Sequence, residues 1–225
     1  MGQQLINIKQ TMLWPTMVFE IQMPDYDKIK KDLVEYIKVC EVKEIPLKNG
    51  IGPFEQRHKK FLKESYPTLF ANDDNETFNK VKDFCMQMTL EVAQGVNKDY
   101  TDTSNWIIRA SDSWYHITKD KGYHDVHKHS FSPWCGIFYV DKGDSDNETS
   151  NGVNRFYNDT EFPILGLGND YYGDYFDAEI EDGKLVVFPG NLGHSALPYY
   201  GSKDRIVISF NTEITDKSML GDNDR

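Results

Sequence analysis

Tyr123-His124-Asp125-Val126-His127-Lys128-His129 leads, across four residues, into Trp134-Cys135-Gly136-Ile137-Phe138-Tyr139-Val140. The second run is apolar, aromatic and β-branched and reads as a buried strand, with the first as its polar, imidazole-rich entrance. Four of the six histidines lie in or beside this stretch: His116, His124, His127 and His129. Side chains of an extended chain alternate between faces, so Asp125, His127 and His129 are expected to share one side. Two imidazoles on one face need one further ligand to hold a first-row metal ion. The candidate is His194, in the turn of Phe188-Pro189-Gly190-Asn191-Leu192-Gly193-His194.

A chain of 225 residues suffices for one domain with a full core and a helical flank. The expected division is residues 1–100 as an N-terminal strand and helical flank, 101–215 as a β-barrel core and 216–225 as a tail, all in a single domain. With 39% hydrophobic and 13% aromatic residues the chain can pack an interior, which excludes compositional disorder. A formal charge of −11 repels polyanions and argues against nucleic acid as a partner. Cys40, Cys85 and Cys135 cannot all pair, and each sits in an apolar pattern. Buried free thiols and a reducing cytoplasm are expected. There is no basic segment followed by an apolar one at the N-terminus and no window near 18 apolar residues, so neither a secretory signal nor a membrane span is expected. The sequons at Asn75, Asn147 and Asn158 are then expected to stay unmodified.

Along the chain, Leu13 to Ile21 reads as an opening strand with Pro15 tolerated near its start. A helix is expected from Pro24-Asp25, burying Ile29, Leu33, Ile37 and Cys40. Val42 to Leu69 is broken by Gly50, Gly52, Pro53 and Pro67 and reads as loop, its basic run Arg57 to Lys60 as a solvated face. Asn72 to Asn75 supply N-cap residues for a second helix with the stripe Phe78, Val81, Cys85, Met88 and Val92, ending near Gly95 or Asn97. After Tyr100 the texture is β: Trp106–Arg109, Ser113–Ile117, Gly136–Val140, Lys184–Phe188 and Arg205–Asn211. Short strands after two helices predict an α+β protein whose β part is a sandwich or barrel. The acidic insertion Asp141 to Asp182 reads as a functional lid or partly mobile segment.

Arg205 opens the last apolar strand, eleven residues after His194. A buried arginine needs a carboxylate, and its planar fork suits bidentate recognition of one. That carboxylate is either an internal Asp or Glu or one carried by a bound ligand.

Several features recur together in order and spacing. They are Leu13-Trp14-Pro15-Thr16, Trp114-Tyr115-His116-Ile117, Gly122, His127-x-His129, Cys135 to Val140, Phe188-Pro189 with His194, and Arg205 to Asn211. In these the chain resembles the 2-oxoglutarate/Fe(II)-dependent dioxygenases, and within them the phage and bacterial subgroup of 2OG-Fe(II) oxygenases. The resemblance implies a double-stranded β-helix (jelly-roll, cupin-like barrel) with N-terminal helices packed on the major sheet. It implies an enzyme, an oxidoreductase using Fe(II) and 2-oxoglutarate to hydroxylate a small molecule or a protein side chain, in the cytoplasm, or the host cytoplasm if phage-encoded. The metal ligands it implies are His127, His129 and His194. Arg205 would anchor 2-oxoglutarate, with Tyr115, Tyr139 and Asn211 as further cosubstrate-site candidates; Trp134 and Tyr171-Tyr172 are candidate substrate contacts. The sequence departs from the common His-x-Asp pattern at His129. Either His129 is the third ligand, or Asp125 is the carboxylate, or two protein ligands leave a position for water or halide. His124 replaces His127 if the strand register slips by one.

Two other classes fit parts of the pattern. A cupin-like isomerase or cosubstrate-free dioxygenase shares Gly183, Pro189 and His194, but lacks a glutamate between His129 and Gly136 and leaves Arg205 without a role. A non-catalytic β-barrel binding protein requires neither a histidine at the Pro-Gly turn nor an arginine opening the last strand.

Overall fold

The structure is a computed structural model, and it describes residues 15–43, 61–65, 67–72, 74–158 and 173–219. Among the described residues, ten strands form two antiparallel sheets. They are β1 (Phe19–Gln22), β2 (Leu62–Glu64), β3 (Trp106–Thr118), β4 (His124–His127), β5 (Trp134–Asp141), β6 (Asn154–Tyr157), β7 (Tyr175–Asp177), β8 (Lys184–Pro189), β9 (His194–Ala196) and β10 (Arg205–Asp216). The major sheet has the order β1-β8-β5-β10-β3-β2, and the minor sheet β4-β9-β6-β7.

The helices α1 (Lys30–Lys43) and α2 (Glu76–Asn97) cover one face of the major sheet. Period-two alternation sorts the apolar runs accordingly. Phe138, Val140, Leu185, Val187, Ile206 and Ile208 face the helices, while Cys135, Ile137, Tyr139, Val186, Phe188 and Val207 face the barrel interior. Strand β5 is therefore buried from Trp134 to Val140, because both of its faces are covered.

Several sequence expectations shift. Strand β1 starts at Phe19; Leu13 and Trp14 lie outside the described residues. Asp25 adopts the left-handed conformation at φ 57°, so a 3-10 turn, Tyr26–Lys28, precedes α1 and delays it to Lys30. The stripe of α1 holds, with Leu33 and Ile37 fully buried. Asn75 is the cap of α2, its Oδ1 accepting from Phe78 N at 2.8 Å. The buried line of α2 runs Phe78, Val81, Cys85, Thr89, Ala93, with Met88 and Val92 only flanking it.

The stretch from Val42 to Leu69, expected as loop, contains β2; its basic run Arg57 to Lys60 lies outside the described residues. The insertion from Asp141 to Asp182 is not simply a lid. It carries β6 and β7 of the minor sheet, and Asn147 bridges its turn to Ala178 O and Ile180 N. Residues 159–172, with Tyr171-Tyr172, lie outside the described residues, as do residues 220–225 of the expected tail. None of the three cysteines is paired in a disulfide with another, and Cys85 and Cys135 are buried. Among the described residues no helix is long and apolar enough to cross a membrane.

Candidate metal and cosubstrate site

His127 ends β4 and His194 opens β9, and the two are paired across the minor sheet. His129 follows β4 in a loop clipped to the Pro189-Gly190 turn: His129 N donates to Gly190 O at 2.7 Å and Ser132 N to His129 O at 2.9 Å. One ligand atom each from His127, His129 and His194 lies within 4.8 Å of the others. The ring centroids are 4.3 Å apart for His127 and His194, 4.9 Å for His127 and His129, and 5.2 Å for His129 and His194.

Each strand ligand is oriented from behind. His127 Nδ1 lies 2.8 Å from Asp125 O and His194 Nδ1 3.0 Å from Leu192 O. A carbonyl only accepts, so these Nδ1 atoms carry the hydrogen and Nε2 is left with its lone pair. Phe188 meets the His194 ring edge-on at 4.7 Å and Phe156 stacks on it at 5.9 Å. Burial holds all three imidazoles below their usual pKa, His194 at about 4 and His127 lower still, because the neighbouring His194 and His124 add to the desolvation. Neutral imidazoles are the form that binds a metal.

Asp125 does not join the group. Strict alternation fails in β4, where the register shifts between His124 and His127, so these two turn inward while Asp125 and Val126 are exposed. What Asp125 contributes is its carbonyl, which receives both His124 Nδ1, at 3.1 Å, and His127 Nδ1.

Arg205 is 1% exposed and lines the same cavity as the three histidines. Its Nη2 donates to Asn154 Oδ1 at 2.6 Å, its guanidinium lies 5.6 Å from the centre of the Tyr139 ring, and its Nε is buried with no partner. Tyr139 also donates to Asn154 Oδ1, at 2.9 Å. No carboxylate is paired with Arg205 among the described residues, and burial, offset only by Tyr139 and Tyr199, pulls its pKa down. The internal Asp or Glu that a buried arginine calls for is therefore not supplied by the described chain.

The other candidates divide. Tyr139 faces the interior beside Arg205. Asn211 lines the cavity, accepting from Cys135 Sγ at 3.2 Å and donating to Asp112 at 3.4 Å. Tyr115 is not brought to the site. One residue out of phase with the inward face of β3, it packs into the core under the helices. Its neighbours Trp114 and His116 take the cavity wall instead, with the Trp114 ring 5.9 Å from His129. Trp134 likewise faces the helices, edge-on to Phe19 at 6.1 Å. Sequence reasoning missed Glu64, Trp114, His116 and Asn154. The inward phase of Trp114, His116 and Thr118 was readable from alternation on β3; the short strands bearing Glu64 and Asn154 gave no such signal.

Residues 112–211 match the family described as "Putative 2OG-Fe(II) oxygenase". A comparison with curated proteins gives no match. Among solved structures the chain is similar to a Pseudomonas putida prolyl-4-hydroxylase, at 15% identity and TM-score 0.55 over 88% of this chain and 94% of that one. It is similar to a Trichoplax adhaerens prolyl hydroxylase in complex with a hypoxia inducible factor peptide fragment, at 11% identity and TM-score 0.54 over 89% and 84%. A third similar structure is HygX from Streptomyces hygroscopicus with nickel and 2-oxoglutarate bound, at 10% identity and TM-score 0.53 over 88% and 82%. Identities this low speak for the fold, a double-stranded β-helix. The matched family is one of enzymes, and its cofactors are Fe(II) and 2-oxoglutarate. The family that this chain resembles over residues 112–211, a little under half of its length, is thus that of the 2OG-Fe(II) oxygenases.

Proposed function

We propose that this chain is a 2-oxoglutarate-dependent dioxygenase with a three-histidine iron site, in which His127, His129 and His194 hold Fe(II) and Arg205 receives the distal carboxylate of 2-oxoglutarate. The observation that carries this reading is the buried guanidinium of Arg205, with no carboxylate partner among the described residues and facing the same cavity as three convergent imidazoles. Three neutral nitrogen donors from His127, His129 and His194 would suit Fe(II). When bound, Fe(II) and 2-oxoglutarate supply O₂-dependent oxidation of a substrate C–H bond coupled to decarboxylation of the cosubstrate to succinate and CO₂.

The chain's own residues do the positioning. The carbonyls of Asp125 and Leu192 fix the tautomer and plane of His127 and His194. Asn154 occupies one edge of the Arg205 fork and leaves Nε for the incoming carboxylate. Tyr139, tied to Asn154, closes the wall beside it, and Asn211 lines the same cavity.

The substrate class is a small molecule or a protein side chain. The buried thiols of Cys85 and Cys135 support a reducing cytoplasm, that of the host if the chain is phage-encoded. The order and spacing of the sequence motifs support the phage and bacterial subgroup, and the packing of α1 and α2 on the major sheet supports one domain over residues 1–225.

Anaerobic titration of the apo-protein with Fe(II) and then 2-oxoglutarate tests the proposal. A visible metal-to-ligand charge-transfer band is expected in the wild type and a much weaker one in Arg205→Ala at the same cosubstrate concentration. Iron binding with no band on adding 2-oxoglutarate would overturn it.

A further inference from the structure

We infer that a second divalent transition-metal site, formed by Glu64, His116 and His124, lies beside the three-histidine group. One ligand atom from each of the three lies within 4.8 Å of the others. They come from three different strands, β2, β3 and β4, all are half-buried, and none has a part in the proposed oxygenase chemistry. His116 and His124 line the cavity that His127, His129 and His194 line, and the His124 ring stands 4.2 Å from that of His127 and 5.5 Å from that of His116.

His124 is built like a ligand. Its Nδ1 meets the same Asp125 carbonyl that orients His127, which forces the hydrogen onto Nδ1 and leaves the Nε2 lone pair. A backbone carbonyl behind the ring is the ordinary support of a metal-binding imidazole. His124 shares that support with His127 and His194.

The other two donors already face each other through a hydrogen bond. His116 Nε2 and Glu64 Oε2 are 2.5 Å apart, a separation that requires a proton between them, with Trp114 Nε1 3.1 Å from the same nitrogen. A divalent ion takes the place of that proton if the pair opens slightly, since two donors bound side by side at about 2.1 Å each lie about 3 Å apart. Glu64 sits on β2, the terminal strand of the major sheet, where such a movement disturbs pairing on one side only. Two imidazoles and one carboxylate select Zn(II), Mn(II) or Fe(II) over Mg(II) or Ca(II), which prefer oxygen throughout. A proton-sharing pair tying β2 to β3 accounts for Glu64 and His116 but gives His124 no role. The site does not depend on how the neighbouring histidines are used.

The full chain, stripped of metal and dialysed against Zn(II), is expected to retain two ions by elemental analysis. Glu64→Gln and, independently, His124→Asn should each retain one, as should His194→Asn. Mn(II) in the wild type should give a broadened, spin-coupled electron paramagnetic resonance signal, replaced in Glu64→Gln by the resolved six-line spectrum of an isolated ion. One Zn(II) per wild-type chain, undiminished in Glu64→Gln and His124→Asn and lost in His194→Asn, would overturn the second site. One Zn(II) lost in Glu64→Gln but kept in His194→Asn would support it and count against the three-histidine iron reading instead.

Discussion

Arg205 and Asn154 bind each other across the barrel: Nη2 of one, on the major sheet, donates at 2.6 Å to Oδ1 of the other, on the minor sheet. Asn154 thereby decides where the guanidinium points, and it holds the Tyr139 hydroxyl with the same oxygen. Asn154→Leu keeps the volume and removes the acceptor, stranding two buried donors. A loss of roughly 1–3 kcal/mol is expected in urea denaturation. In calorimetric titration of the iron-loaded protein, 2-oxoglutarate should bind at least tenfold more weakly while iron stoichiometry stays unchanged.

Arg205 itself separates a ligand role from a structural one. A buried cation with no counter-ion among the described residues is a liability to the empty fold, so Arg205→Met should leave the apo-protein as stable as the wild type or more so. Its affinity for 2-oxoglutarate should fall on the order of a hundredfold. Arg205→Lys should recover only part of that, because an ammonium cannot present two parallel N–H groups. Urea midpoints and cosubstrate titrations of the two variants check both halves.

Acid should unfold the apo-protein earlier than its carboxylates alone require. His127 and His194 are held below the ordinary histidine value by burial, His194 at about 4. Between that value and about 6.5 the unfolded chain takes up protons that the folded chain refuses, so stability falls as pH falls. The slope is at most about 1.4 kcal/mol per pH unit for each histidine. Denaturation midpoints between pH 6.5 and 5, above most carboxylate titrations, should decline in the metal-free wild type and flatten in His127→Gln and His194→Gln.

Gly190 holds the backbone of His129, one of the proposed metal ligands, in place. A Cβ there would fall against the carbonyl oxygens of Ser132 and His129, both backbone atoms that cannot turn aside. Gly190→Ala should push the 129–132 loop outward and lengthen the His129 N–H to Gly190 bond. A tenfold to hundredfold loss of metal affinity is expected, on the scale of losing a ligand's support, with all three imidazoles present. Competition against a chelating dye measures it.

The sequence disclosed whatever was long and apolar. The strands around Phe138, Val186 and Ile208 are buried on both faces, so their runs read as strands without any knowledge of neighbours. The Asn75 cap and the α1 stripe were local and legible for the same reason. The short pieces were not. Strands β2, β6 and β7 span three or four residues each, too few for a period to show, and their polar residues function only through pairing with distant segments. At the site, His127, His129 and His194 were readable as a set, but the rule of alternation placed Asp125 with them, and only the irregularity in β4 replaces it with His124. Tyr115 failed for the opposite reason. Alternation holds strictly along that part of β3 and carries its ring to the helical side.

Strand β1 pairs with β8 in the register Phe19 to Val187, Glu20 to Val186 and Ile21 to Leu185. The residues of β1 thus wait for partners at positions 184–187, and α1, which follows β1, has no finished sheet to rest on before then. During synthesis the ribosome releases α1 and α2 long before β8 and β10 emerge. Closing so long a loop is slow, and folds dominated by distant pairings mature over milliseconds to seconds rather than microseconds. The nascent N-terminal half accordingly leaves the ribosome with its apolar helix faces, Leu33 and Ile37 on one and Phe78, Val81 and Cys85 on the other, still unclaimed. It is in that interval that the chain is most exposed to aggregation and has most to gain from a chaperone.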